Sequence, residues 1–119
     1  MGFNVTIPYK QEIIPFLDEL SPEAKAIGAV NTVLIQDGKR IGHNTDCYGF
    51  HHSIEPLLEP HHKKALVLGN GGAAKAVFYI LDLLKIDYKI VSRTKTENHY
   101  SYDELNEEIT HNHQIIVNC

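Results

Sequence analysis

Apolar positions along the chain change their spacing about halfway. From Lys63 onward they come in short blocks. Lys64-Ala65-Leu66-Val67-Leu68 has the character of a buried strand, and Ala74 to Lys85 that of an Ala- and Leu-rich helix. Tyr88 to Ser92 is a second strand. A polar connection with a weak helix around Tyr102 to Thr110 leads to a last strand, Gln114 to Asn118. That alternation predicts a β-α-β-α-β half of a doubly wound sheet. Before Lys63 the pattern is mixed. Phe3 to Ile7 reads as a strand ended by Pro8. Tyr9 to Leu20 carries Ile13, Ile14, Leu17 and Leu20 at helical spacing, with Pro15 expected to kink or restart the helix. Ser21-Pro22-Glu23 is a cap with proline at the first helical position, opening a short helix that stops before Gly28. Val30 to Gln36 and Lys39 to His43 flank Asp37-Gly38, the strongest hairpin signal in the chain. Cys47 to Leu58 reads as a helix, and Pro56, Pro60 and the neighbouring histidines mark the link into the second half.

Length and composition narrow the classes. The 119 residues suffice for one domain or for parts of two, and an apolar share of 43% supports an ordinary core. The net charge of −4, without a basic run, argues against nucleic acid as a partner. No apolar stretch approaches the roughly 20 residues a membrane helix needs, and no signal peptide opens the chain. Cys47 and Cys119 match neither a disulfide framework nor a metal spacing, so a reduced cytoplasmic compartment is the simplest reading. The chain starts and stops inside strand-like runs that need neighbours, and is therefore expected to be cut from something longer.

Between the first strand and the helix of the second half lies Gly69-Asn70-Gly71-Gly72-Ala73-Ala74. A lone glycine pattern is weak evidence, but here the strand before it and the helix after it are both present. Gly69 permits the tight turn, Gly71 admits a pyrophosphate close to the backbone, and Ala74 allows close helix–strand packing. The bare N–H groups and positive end of the helix face the phosphates. Where an acid would hold a ribose 2′-hydroxyl, the second strand ends Ser92-Arg93-Thr94-Lys95. Arg93 can take a 2′-phosphate by paired, charge-assisted hydrogen bonds, Thr94 adds a hydroxyl and Lys95 a charge, which favours NADP over NAD.

In the first half, Asn4-Val5-Thr6-Ile7-Pro8-Tyr9-Lys10 puts a lysine just past a strand end, and Asn44-Thr45-Asp46 closes the hairpin. If these ends converge, Lys10 and Asp46 face one pocket and can exchange a proton with a hydroxyl–carbonyl couple. Spacing alone does not separate this from a solvated lysine and an Asx turn. The pairs His51-His52 and His61-His62, with His111 and His113, read as solvated surface rather than a metal site. Cys47 reads as a small buried residue rather than a nucleophile.

Taken in order, the motifs resemble the shikimate dehydrogenase family along the whole chain. Asn4 to Lys10 is similar to its N-V-T-x-P-x-K motif. Gly28-Ala29-Val30-Asn31-Thr32 and Gly42-His43-Asn44-Thr45-Asp46-Cys47-Tyr48-Gly49 resemble its next two signatures. Gly69 to Ala73 resembles its cofactor turn, Ser92-Arg93-Thr94 its N-R-T segment with Ser in place of Asn, and Val117-Asn118-Cys119 the start of its N-A-T or N-T-T segment. The resemblance implies an α/β chain in two parts. Residues 1–60 would be the C-terminal part of a substrate-binding, catalytic domain with a hinge helix, and residues 61–119 the N-terminal half of a Rossmann-like NADP-binding domain. It implies NADPH-dependent, reversible reduction of 3-dehydroshikimate to shikimate in aromatic amino-acid biosynthesis. By position Lys10 and Asp46 would be catalytic and would also contact substrate, along with Thr6 and Asn31. Gly69, Asn70, Gly71, Gly72 and Ala73 would hold the pyrophosphate, and Ser92, Arg93, Thr94 and Lys95 the 2′-phosphate. The family's N-terminal serine pair, its C-terminal glutamine and the strands completing the cofactor sheet are expected to lie outside this chain. The resemblance leaves a homodimer open. Two rivals stand beside it: a quinate/shikimate dehydrogenase using NAD, which Arg93 disfavours, and a non-catalytic nucleotide-binding fragment, which retention of Lys10 and Asp46 disfavours.

Overall fold

The computed structural model describes residues 1–93 and 99–119. Two four-stranded sheets form, one in each half of the chain. The first takes the order β1-β3-β4-β2, from β1 (Gly2–Asn4), β2 (Glu19–Leu20), β3 (Thr32–Gln36) and β4 (Lys39–His43). β3 and β4 are the predicted hairpin, with Gln36 opposite Lys39. Asp37 and Gly38 both adopt positive φ (52° and 77°), the pair a two-residue type I′ turn requires. β1 pairs antiparallel with β3, and β2 pairs parallel with β4.

Helix α1 (Pro22–Ile27) starts as its sequence demands. Ala24 N–H donates to Ser21 Oγ at 3.2 Å, Pro22 occupies the first turn, and Gly28 N–H returns to the Ala24 carbonyl.

Two expectations for the first half need correction. The strand expected from Phe3 to Ile7 ends at Asn4. Val5 keeps one sheet-like bond, its N–H donating to the Asn31 carbonyl at 2.7 Å, after which the chain turns. The helix expected over Tyr9 to Leu20 does not form. That segment runs as successive turns, a short 3₁₀ turn at Ile14–Phe16 and then β2. Pro15 has no N–H to continue a helix and disfavours the helical state of Ile14 before it. The four apolar residues are nonetheless inward, because Ile13, Ile14, Leu17 and Leu20 pack on the buried cluster of Val5, Ala24, Val30 and Val33. Gly42 makes this possible. A Cβ there would stand 2.7 Å from Leu17 Cδ1 and 2.8 Å from Leu20 Cδ2.

Helix α2 (Asp46–Ile54) runs on into a 3₁₀ turn, Glu55–Leu57, at Pro56. The second sheet follows, built from β5 (Lys64–Leu68), β6 (Asp87–Ser92), β7 (His99–Ser101) and β8 (Ile115–Asn118) in the order β7-β6-β5-β8, all parallel. Numbered within the sheet this is 3-2-1-4, the order of a mononucleotide-binding half of a doubly wound fold. The polar edge strand β7 has no counterpart in the apolar pattern. The weak helix expected from Tyr102 to Thr110 is instead a 3₁₀ turn, Tyr102–Glu104, followed by α4 (Glu107–His111).

Helix α3 (Gly72–Leu83) lies between the two halves. One face sends Ala74, Val77 and Leu81 onto Ala65, Val67 and Ile86. Another sends Ala76 and Ile80 onto Ile27, Ala29 and Cys47. Phe78 stacks on Tyr88 with ring centroids 5.1 Å apart.

Candidate functional site

The Lys10–Asp46 pair is assembled by backbone placed on both sides of the hairpin. The Lys10 carbonyl accepts Val30 N–H at 2.7 Å, and Asn31 N–H donates to the His43 carbonyl at 3.0 Å, so the turn after β1 is tied to the entry of β3 and the exit of β4. Lys10 Nζ then reaches Asp46 Oδ2 at 2.7 Å, with 13% of the lysine side chain and 36% of the aspartate side chain exposed. Asn31 sits behind the acid. Its Nδ2 donates to Asp46 Oδ1 at 3.1 Å and to Thr45 Oγ1 at 2.8 Å, while its Oδ1 accepts Thr45 N–H at 3.0 Å and Thr32 Oγ1–H at 3.1 Å. With both amide ends engaged, Asn31 fixes the rotamer of Asp46 and leaves Oδ2 for the ammonium. Thr6 stands exposed in the turn before Lys10, its carbonyl accepting Tyr9 N–H at 2.8 Å.

Asn44 carries a role that the motif alone did not reveal. It is the buried polar residue that anchors this assembly, at 7% exposure. Its Nδ2 donates to the Ala29 carbonyl at 3.0 Å, and its Oδ1 accepts the N–H groups of Asp46 (3.0 Å) and Cys47 (3.3 Å). The side chain therefore caps α2 one residue ahead of its formal cap Thr45, and in doing so orients Asp46. An Asn two residues before a helix-opening Asp is the local signal that would have marked it. Cys47 is buried beneath, its Sγ–H directed to the Asn44 carbonyl at 3.3 Å. Burial pushes its thiol up, as expected for an inert packing residue.

The glycine turn faces the same space from the other side. Gly69 follows β5 with φ of 123°, and a Cβ there would meet the Cys119 carbonyl at 3.0 Å, so β8's end packs directly on the turn. Gly71 precedes α3 in extended conformation without a side-chain cap, and a Cβ on it would meet nothing within 4 Å. The first N–H groups of α3 are thus free of side-chain capping, beside open backbone, at the switch point between β5 and β8.

Two clefts meet this turn. One, of about 260 Å³, is lined by Lys10, Pro8, Gly71, Gly72 and Ala73 among others. The second, of about 420 Å³, is lined by Gly69, Asn70, Ser92, Arg93, His99 and Tyr102, and Cys119 lines both. The structure therefore gathers Lys10, with Asp46 and Asn31, beside Gly71, Gly72 and Ala73, and gathers Gly69 and Asn70 beside Ser92 and Arg93. Thr94 and Lys95 lie outside the described residues. Among the described residues, Glu59, His61 and His62 place ligand-capable atoms within 4.8 Å of one another, but His62 Nδ1 already accepts Glu59 N–H at 2.9 Å. No helix among the described residues is long and apolar enough to cross a membrane.

A parallel sheet in 3-2-1-4 order, with an uncapped glycine turn at its switch point, is a Rossmann-type nucleotide-binding fold, and here it faces a lysine–aspartate pair. The family model of the shikimate dehydrogenase substrate binding domain matches residues 1–33. Shikimate dehydrogenase (NADP(+)) of Lactococcus lactis subsp. cremoris (strain MG1363) is 48% identical over 109 residues, spanning 91% of this chain and 37% of that protein. The crystal structure of shikimate dehydrogenase from Aquifex aeolicus aligns with a TM-score of 0.84 at 42% identity, over 98% of this chain and 47% of its own. Shikimate 5-dehydrogenase from Thermus thermophilus, in complex with NADP(H) and shikimate, aligns with a TM-score of 0.82 at 34% identity, over 99% of this chain and 47% of its own. The chain is similar to the shikimate dehydrogenases over nearly all of its residues, and it spans between a third and a half of the length of these relatives.

Proposed function

We propose that the chain supplies the proton-transfer pair and the pyrophosphate turn of an NADP-dependent shikimate dehydrogenase, acting in the cytoplasm on the 3-dehydroshikimate/shikimate couple. In this reading residues 1–60 belong to a substrate-binding domain and residues 61–119 to a cofactor-binding one. The observation that carries it is the shared cleft: Lys10, held by Asp46, lines the same cavity as Gly71, Gly72 and Ala73.

The residues present fit a dinucleotide phosphate. The start of α3 has no side-chain cap, Gly71 leaves its backbone open, and Arg93 lines the cleft next to Gly69 and Asn70. Gly69 to Ala73 would hold the pyrophosphate, while Ser92 and Arg93, followed by Thr94 and Lys95, would hold the 2′-phosphate. When bound, NADPH supplies the hydride that reduces the substrate carbonyl carbon.

The chain's own groups manage the proton. Lys10 as an ammonium has three N–H donors, of which Asp46 Oδ2 takes one, leaving others for substrate oxygens. Lys10 Nζ donates a proton to the carbonyl oxygen as negative charge develops there, and takes it back in the reverse direction. Asp46 stabilises the ammonium and, with Asn31 and Thr6, offers polar contacts to the substrate hydroxyls.

The test is NADPH oxidation with 3-dehydroshikimate, run on this chain and on the chain extended to the relatives' length. Turnover in the extended form that falls about 10²–10⁴-fold in Lys10→Ala supports the reading. Unchanged turnover in Lys10→Ala removes the lysine from the mechanism. Saturable nucleotide binding without turnover in the extended form would favour a nucleotide-binding module instead. Light scattering on the same sample reports whether a homodimer forms.

A further inference from the structure

Gly72 lends its backbone to the proposed pyrophosphate turn, but the nucleotide fingerprint asks for no glycine there. In Gly69-x-Gly71-x-x-Ala74 it occupies a free position, and as the first residue of α3 its backbone is not in the left-handed region that favours glycine. Its surroundings are nevertheless restrictive. A Cβ at Gly72 would lie 3.1 Å from Lys10 Cβ, 3.3 Å from Lys10 Cδ and 3.6 Å from Lys10 Cγ. Carbon atoms in good contact stand about 3.5–4.0 Å apart, so a methyl group here would have to push the lysine stem aside.

The stem has little room to yield. At its root the Lys10 carbonyl is tied to Val30 N–H at 2.7 Å, and at its tip Nζ is tied to Asp46 Oδ2 at 2.7 Å. The side chain is 13% exposed. Displacing the middle of a chain held at both ends either lengthens the ion pair or re-aims the ammonium.

We propose that Gly72 is a positioning residue for Lys10: its bare Cα is the seat across which the aliphatic stem passes, and it sets where Nζ meets the substrate. This rests on the proton-transfer role assigned to Lys10 above. The same short segment of backbone then serves both ends of the reaction, with Gly71 open to pyrophosphate and Gly72 closed against the lysine.

The test is Gly72→Ala in the extended chain, with Lys10→Ala and the double variant. Alanine is the better helix former and reduces the freedom of the unfolded chain, so at a free position it raises the unfolding midpoint. If the methyl strikes the lysine stem, that rise is larger in the Lys10→Ala background, where Cγ and Cδ are gone and only the Cβ contact remains. The expected difference between the two backgrounds is at least about 3 °C. Equal midpoint shifts in both backgrounds would overturn the seat, and this readout needs no activity. In steady state, kcat with 3-dehydroshikimate is expected to fall at least about 10-fold with the KM for NADPH within about 3-fold of the parent. A parental kcat, or a loss wholly in the KM for NADPH, would also overturn it. Absence of turnover in the parent would count against the proposed enzyme, leaving Gly72 to be decided by the midpoints alone.

Discussion

Asn31 Nδ2 and Asp46 Oδ1 meet at 3.1 Å, and this contact turns the aspartate's other oxygen toward Lys10. The acid is held from behind by an amide whose carbonyl end is itself bound to Thr45 and Thr32. Asn31→Ala is expected to leave the fold intact, because Asp46 is partly exposed and water can replace the lost donor. Stability should drop by about 1 kcal/mol, while turnover falls roughly 10-fold through loss of orientation. Urea unfolding beside NADPH oxidation separates the two effects.

Asn44 is the costlier position. Removing its side chain strips the cap from Asp46 and Cys47 N–H and leaves the buried Ala29 carbonyl without its donor. Asn44→Ala should lose about 2–3 kcal/mol of stability, read from the urea midpoint at unchanged slope.

Arg93 lines the cleft beside Gly69 and Asn70, where the proposed function makes it the cofactor discriminator. Arg93→Glu replaces a phosphate-binding fork with a like charge. NADP affinity is expected to fall roughly 10- to 100-fold, with NAD affinity unchanged or improved. Fluorescence titration with the two nucleotides measures this, and equal loss for both would show that Arg93 does not read the 2′-phosphate.

The two thiols should label in sequence. Cys119 is exposed, whereas Cys47 is buried and engaged with the Asn44 carbonyl; burial pushes both thiols up, so access sets the order. At pH 8, an aromatic disulfide reagent should modify Cys119 promptly and Cys47 only as fast as the chain opens. Mass spectrometry of the digested protein assigns each label.

Acid sensitivity has an identifiable contributor in the first sheet. Arg40 N–H donates to Asp18 Oδ2 at 2.8 Å, and this bond, aided by the Arg40 charge, holds the Asp18 carboxyl below its ordinary 3.8. A lowered carboxylate stabilises the fold above its unfolded-state value and ceases to do so as pH falls through its folded one. Asp18→Asn should therefore weaken the dependence of unfolding midpoint on pH below about 4, leaving the slope above pH 5 unchanged.

What could be read from the chain beforehand follows from where each decision is made. The hairpin was legible because Asp37 and Gly38 contain their own turn chemistry, and the nucleotide sheet because β5 and β8 are near-continuous apolar runs and β5 leads straight into the glycine turn. The segment from Tyr9 to Leu20 misled because apolar spacing reports which residues go inward, not which hydrogen bonds connect them. Leu17 and Leu20 reach the core through space left by Gly42, more than twenty residues away in the chain, which no local window contains. The edge strand β7 is three polar or aromatic residues that owe their extended form to pairing with β6. Lys10 and Asp46 could be named from motifs, but Asn44 and Gly72 take their roles from burial and distance, which require coordinates.

Helix α3 has its two inward rows on different neighbours, with Ala76 and Ile80 the pair that meets Ile27, Ala29 and Cys47. The junction is thus written in small and aliphatic side chains, with Phe50, Tyr79 and Leu84 packed against them. Grafting therefore has a simple specification. A foreign partner for this nucleotide sheet would need only a shallow apolar face of the same relief, together with a long side chain able to cross Gly72. Recombining such halves to obtain new substrate preferences is accordingly a problem of shape rather than of electrostatic pairing.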